Sequence, residues 1–140
     1  MSYLLDTNVL SEISRIQPDG TVAQWLRRQD IATTYLSVVT IAEISRGVTV
    51  APDPIRRERL RAWFVEIKAA YDERILSVDA QIAELCGEIE GRCRLAGRPA
   101  EPFDALIAAT AEQHDLTIVT RNVSDFEVWG GPVFNPWTDT

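Results

Sequence analysis

Four carboxylates in this chain stand where chemistry can be done. Asp6 directly follows a short apolar run, Tyr3-Leu4-Leu5. Glu43 lies inside a helical stretch, Asp104 near the start of another, and Asp125 just past the β-rich run Thr117 to Thr120. If the fold gathers these acids, they repel, because carboxylates about 3 Å apart cannot all stay ionised unaided. A divalent cation resolves that conflict. A set of oxygen ligands suits Mg²⁺ or Mn²⁺. Metal held by carboxylates commonly serves phosphoryl chemistry, where it clamps phosphate oxygens and activates water.

Each acid also has a purely structural explanation. Asp6 can cap the helix after it. Asp104 can complement a helix dipole from the first turn, and Asp125 can sit in a turn. Glu43 is harder to dismiss. Its neighbours Val39, Ile41, Ala42 and Ile44 are apolar, so its helix reads as largely buried. A carboxylate there needs a partner, and Arg46 is the one cation nearby on that helix. Other metals are poorly served: Cys86, Cys93 and the lone His114 make a weak zinc set. The two cysteines lie seven residues apart on one expected helix, a rise of about 10.5 Å. A disulfide needs Cα atoms within about 7 Å, so they read as buried thiols.

The elements that must position these acids alternate. A strand at Tyr3 to Leu5 precedes helices over Val9 to Ile16 and Val22 to Arg28, separated at Pro18-Asp19-Gly20. Thr33 to Leu36 is rich in β-formers. Ser37 can cap a helix that Gly47 ends. Leu60, Trp63, Phe64, Ile67 and Tyr71 carry helical spacing within Ile55 to Tyr71. Ile75 to Val78 reads as a strand, and Ile82, Leu85, Cys86, Ile89 and Cys93 as a helix stripe. Pro102 suits a first helical turn, and that helix runs to about His114. Thr117 to Thr120 and Val133-Phe134 complete the strands. Strands separated by helices imply an α/β fold with a mainly parallel sheet and helices on its faces. Ligands in such sheets bind at the carboxyl ends of the strands, which is where Asp6 and Asp125 fall.

The chain has 140 residues, 46% apolar and 25% charged, an ordinary globular mix of the size of one domain over residues 1–140. No run approaches the roughly 20 apolar residues a membrane helix needs. Met1-Ser2-Tyr3-Leu4-Leu5-Asp6 has no basic region, so no signal peptide is expected and the cytoplasm is the expected location. The net charge is −7. That argues against a simple nucleic-acid binder. It does not exclude an enzyme whose acids hold cations, since bound metal inverts the local field, and it favours a basic protein partner. The dense basic cluster Arg56, Arg57, Arg59 and Arg61 reads first as a solvated helix face and second as a phosphate track. Trp25, Trp63 and Phe64 read as core or dimer-face residues.

Taken in order, Asp6-Thr7-Asn8, the segment from Ser37 through Thr40 and Glu43 to Gly47, Asp104-Ala-Leu-Ile-Ala-Ala109, Thr120-Arg-Asn122-Val-Ser-Asp125-Phe126 and the ending Val133-Phe-Asn135-Pro136-Trp137 resemble the PIN-domain ribonucleases, specifically the VapC/FitB-like toxins. The resemblance runs from Tyr3 to Trp137. It implies a three-layer α/β domain and an acidic pocket with Asp6, Glu43 and Asp104 as the Mg²⁺ or Mn²⁺ set. Asp125 would be the fourth acid, with Asn122 on the same loop as the alternative. Asn8, Thr40 and Thr120 would orient the carboxylates or the scissile phosphate. It further implies cleavage of RNA to 5′-phosphate and 3′-hydroxyl ends, a cognate antitoxin, and a homodimer or toxin–antitoxin hetero-oligomer.

Other classes fit less well. A dehalogenase-type phosphatase would use Asp6 as nucleophile but needs a second Asp where Asn8 stands. A receiver-type protein wants a Lys after a late strand, where Thr120 is followed by Arg121. A non-catalytic partner-binding module is the remaining alternative if the acids do not converge.

Overall fold

The structure, a computed structural model, describes residues 1–140. A five-stranded, all-parallel sheet runs β3-β2-β1-β4-β5, with β1 Tyr3–Leu5, β2 Thr34–Ser37, β3 Ile75–Leu76, β4 Thr117–Val119 and β5 Val133–Phe134. Tyr3 pairs with both Thr34 and Thr117, so β1 is the central strand. Its residues alternate between two cores, as the two-residue period of a strand requires. Leu4 and Ile118 face one cluster with Ile82, Cys86, Ile89 and Ile107; Leu5 and Val119 face the other with Val9, Leu10, Val22, Trp25 and Phe64. Burying an aliphatic side chain fully, as at Leu4, Leu5 and Ile118, contributes about 1.5–3 kcal/mol each. The result is three layers: helices, sheet, helices.

The helices are α1 Thr7–Ile13, α2 Gly20–Arg28, α3 Val38–Val50, α4 Pro54–Tyr71, α5 Ala80–Leu95 and α6 Pro102–Gln113. Their starts are set by side-chain caps. Asp6, Asp19, Ser37, Asp53 and Asp79 each accept a backbone N–H of the helix that follows. Pro54 and Pro102 open α4 and α6, where a missing N–H costs nothing. The buried face of α6 is small: Ala105, Ala108, Ala109 and Ala111 let it lie close to α5 and the sheet. Cys86 and Cys93 are both buried and free on α5, as their spacing requires. None of the helices is long and apolar enough to cross a membrane.

Several boundaries depart from the pattern in the sequence, among them that α2 starts at Gly20 rather than Val22 and β2 covers Thr34–Ser37 rather than Thr33 to Leu36. Gly47 does not end α3; the helix runs on to Val50 and stops at Ala51, whose extended backbone (ψ 120°) is what the following Pro52 imposes. The strand expected over Ile75 to Val78 pairs only through Leu76, because Asp79 already caps α5. The first helix begins at Thr7 rather than Val9, since Asp6 is itself the cap, and it ends at Ile13, leaving Ile16 exposed.

The strand order has a functional consequence. The chain moves from β1 outward to β2 and β3, then returns to the other side of β1 for β4 and β5. The switch between β1 and β4 opens a crevice at their carboxyl ends, the place where ligands enter open α/β sheets. Asp6 follows β1 there, and Thr120 follows β4.

Candidate active site

Asp6 is held from several sides. Its backbone N–H still donates to the Val119 carbonyl at 2.9 Å. Its Oδ1 accepts from Thr7 N at 2.8 Å, and its Oδ2 accepts from Thr120 Oγ1 at 2.8 Å and Asn8 Nδ2 at 3.3 Å. Thr120 Oγ1 accepts in turn from Asn8 Nδ2 and from the Asn122 N–H, both at 3.0 Å. The Arg121 N–H donates to Asn8 Oδ1 at 3.2 Å. Thus the cap explanation of Asp6 and its place in the crevice are both true of one side chain. Asp6 is 7% exposed. Burial pushes its pKa up; the hydrogen bonds from Thr120 and Thr7 pull it down, and Glu43 and Asp125 push it up again.

Glu43 projects from α3 toward the same place. Its helix is not largely buried: Ala42 is exposed, Ile41 and Glu43 are half-buried. Its partner is not Arg46 but Thr7, whose Oγ1 donates to Glu43 Oε1 at 2.7 Å and lies 3.3 Å from the buried Thr40 Oγ1. Asp104, in the first turn of α6, is half-buried. Burial raises its pKa from 3.8 to about 6, reinforced by the charges of Asp6, Asp125, Glu43 and Glu101.

Asp6, Glu43 and Asp104 line one cleft of about 380 Å³, together with Thr7, Asn8, Ser11, Glu12, Arg15, Arg121, Asn122 and Trp137. Asp125 does not line it. It borders an adjoining cavity of about 280 Å³ that shares Asp104, near enough for its charge to act on both Asp6 and Asp104. Asn122 is the loop residue in the cleft itself. Thr40 and Thr120 are buried behind the carboxylates.

None of these four acids makes an ion pair; the three ion pairs of the chain are Arg15–Glu12, Arg61–Glu58 and Arg98–Glu127. As placed, no three acidic, His or Cys side chains stand close enough to form a closed ligand set. The chemistry of the donors nevertheless fits a hard divalent cation. They are oxygens only, neighbouring carboxylates help push up the pKa of Asp6 and of Asp104, and no Lys or Arg forms an ion pair with them. Use of Asp6 as a phosphoacceptor fits poorly, because the one lysine, Lys68, sits on α4 over the Phe64 ring, and both Asp6 oxygens are engaged.

The shift at Asp104 has a testable sign. A carboxyl whose folded pKa is raised favours the folded state at low pH. That advantage is complete below about pH 4 and is lost as pH rises through about 6. Asp104→Asn therefore stabilises the metal-free protein at neutral pH. After allowance for solvent screening the gain is about 1 kcal/mol, or about 3–4 °C in Tm. Thermal melts in EDTA at about pH 7.5 and pH 4 check it: the gain should shrink at the lower pH, and a gain equal at both would contradict the cause.

Several cleft residues carry no signal in the sequence strong enough to single them out. Glu12 and Arg15 follow Asn8 at helical spacing on α1, as many solvated residues do. Glu12 is 7% exposed, and its Oε2 accepts the Asp19 N–H at 3.1 Å, anchoring the start of α2. Arg121 and Trp137 reach the cleft only because β4 and β5 end beside β1. The arginine cluster on α4 is mostly structural. Arg57 donates to the Ala51 and Pro52 carbonyls, Arg59 to Ser14 O at 2.6 Å, and Arg61 pairs with Glu58. Arg56 borders a groove beside Glu43.

The PIN domain family profile matches residues 3–127. Toxin FitB of Neisseria gonorrhoeae is 37% identical over 140 residues, covering 97% of this chain and 99% of that protein. VapC ribonuclease Y4jK of Sinorhizobium fredii is 35% identical, covering 96% of each. Among solved structures, the crystal structure of FitAcB from Neisseria gonorrhoeae superposes with a TM-score of 0.92 at 36% identity, covering 97% of this chain and 99% of that one.

Proposed function

The chain belongs to the PIN-domain family, and we propose that it is a divalent-metal-dependent endoribonuclease acting as the toxin of a toxin–antitoxin pair. The observation that carries this reading is the cleft at the β1–β4 switch, into which Asp6, Glu43 and Asp104 project without a cationic partner. The names of two relatives, a toxin and a ribonuclease, support the same assignment.

Asp6, Glu43 and Asp104 would hold Mg²⁺ or Mn²⁺, with Asn122 or Asp125 completing the set. Bound there, such an ion polarises phosphate oxygens and lowers the pKa of water. The chain's own residues prepare the site. Thr120, Asn8 and the Thr7 N–H fix both oxygens of Asp6. The Thr7 hydroxyl fixes Glu43, with Thr40 behind it. Supporting bonds of this kind hold ligands in the geometry a metal requires. One domain over residues 1–140, a cytoplasmic location, and a homodimer or toxin–antitoxin hetero-oligomer follow from the same reading. So does inhibition by an antitoxin that lays an Arg or Lys into the acidic cleft, where a charge-assisted pair is strong and directional.

Metal binding is tested by thermal shift. Mn²⁺ at 100 times its Kd should stabilise the chain by about 2.7 kcal/mol, and Asp104→Asn should lose most of that response. A folded wild-type chain with no Mn²⁺ response would remove the metal from the reading.

A further inference from the structure

Trp137 is the single apolar residue among those that line the acidic cleft, and it is half-buried. The guanidinium of Arg121 lies over its ring, 5.2 Å from the centroid. Arg15 and Arg121 are the cleft's two cations, and they differ. Arg15 pairs with Glu12 at 3.7 Å, whereas Arg121 has no acidic partner. Arg121 is also exposed, and its backbone N–H is tied to Asn8, itself bonded to Asp6. A guanidinium at the rim of an acidic cleft, presented by an indole and without a carboxylate, is poised for an anion. The indole beneath it also packs against the core around Leu5 and Val9 and leaves only part of its surface open; open aromatic surface is what unpaired bases stack on.

We propose that Arg121 and Trp137 form a nucleotide-binding subsite beside the acidic cleft, in which Arg121 contacts the phosphate next to the scissile one and Trp137 takes the base of that nucleotide. The proposal rests on the ribonuclease reading. It assigns substrate contacts that the carboxylates cannot supply, because a chain of net charge −7 repels a polyanion unless a cation meets it locally. Stacking is tolerant of base identity, so this subsite distinguishes single-stranded from paired RNA rather than one base from another. The contact is made equally before and during cleavage, so its loss should raise KM more than it lowers kcat.

The test uses a short fluorescent single-stranded RNA and the full chain with Mg²⁺. Binding is read by anisotropy in the Asp104→Asn background, and kcat and KM in the otherwise wild-type chain. Trp137→Ala should weaken binding roughly tenfold, while Trp137→Phe retains most of it. An RNA carrying one abasic nucleotide beside the cleavage point should bind the parent chain roughly tenfold more weakly. That RNA should be indifferent to Trp137→Ala. Because the abasic arm alters only the RNA, it holds even if Trp137→Ala folds poorly. Arg121→Ala should reduce the salt dependence of binding by about one phosphate contact. If the wild-type chain cleaves RNA but the abasic nucleotide and both variants leave Kd and KM unchanged, the subsite is wrong and the ribonuclease reading stands. If the wild-type chain neither binds nor cleaves RNA, both fall.

Discussion

Asp6→Asn and Asp104→Asn should each reduce RNA cleavage by about 10²–10³ while the protein stays folded. The size follows from what a carboxylate does in this cleft: it fixes charge that stabilises the attacked phosphate, and one such preorganised element is worth about 3–4 kcal/mol. Folding is spared for separate reasons. Asparagine is as good a helix cap as aspartate, so in Asp6→Asn the amide oxygen can still accept the Thr7 N–H that the carboxylate accepts at 2.8 Å. The substitution also removes one of several mutually repelling charges. Cleavage rates alongside thermal melts check both halves. A variant that unfolds would assign Asp6 a structural role; a variant that folds and cleaves normally would remove it from the site.

Expression of the chain alone should arrest growth of the host cell, and Asp104→Asn should relieve the arrest at equal protein level. A loss of about 10²–10³ in rate is enough to turn a lethal nuclease into a harmless one. Co-expression of the cognate partner should also relieve the arrest, in proportion to how completely it occupies the cleft. Colony counts under induction, with immunoblots to equalise expression, decide it. If the wild-type chain is harmless when folded and abundant, the toxin assignment is lost and a processing or decay nuclease becomes the better description.

Local features make much of this fold legible in the sequence. Tyr3-Leu4-Leu5 followed by Asp6 reads as a strand ending in a carboxylate, and Pro102 marks the start of α6 as the N1 rule expects. The stripe through Ile82, Cys86, Ile89 and Cys93 faces the core as its spacing demands. The features that depart from the sequence pattern are decided at a distance or by a stronger neighbour. Gly47 is overridden by Pro52, two residues past the helix end. Glu43 finds Thr7, a residue 36 positions away, instead of Arg46 on its own helix. Three members of the arginine cluster turn to carbonyls or to Glu58, partners that composition cannot reveal. The strand order, with β1 between β2 and β4, is a long-range pairing that periodicity does not encode. For that reason neither Arg121 nor Trp137 stands out in the sequence as a cleft residue, and Asn122 cannot be separated there from Asp125.

The most direct test of the account is cleavage of a labelled single-stranded RNA by the purified chain, free of any partner, in Mg²⁺ and in EDTA. The carboxylate cleft predicts cleavage products with Mg²⁺, none in EDTA, recovery when Mn²⁺ is added back, and cleavage by Asp104→Asn about 10²–10³ slower than by the parent chain with either metal. Equal cleavage with and without EDTA would contradict it.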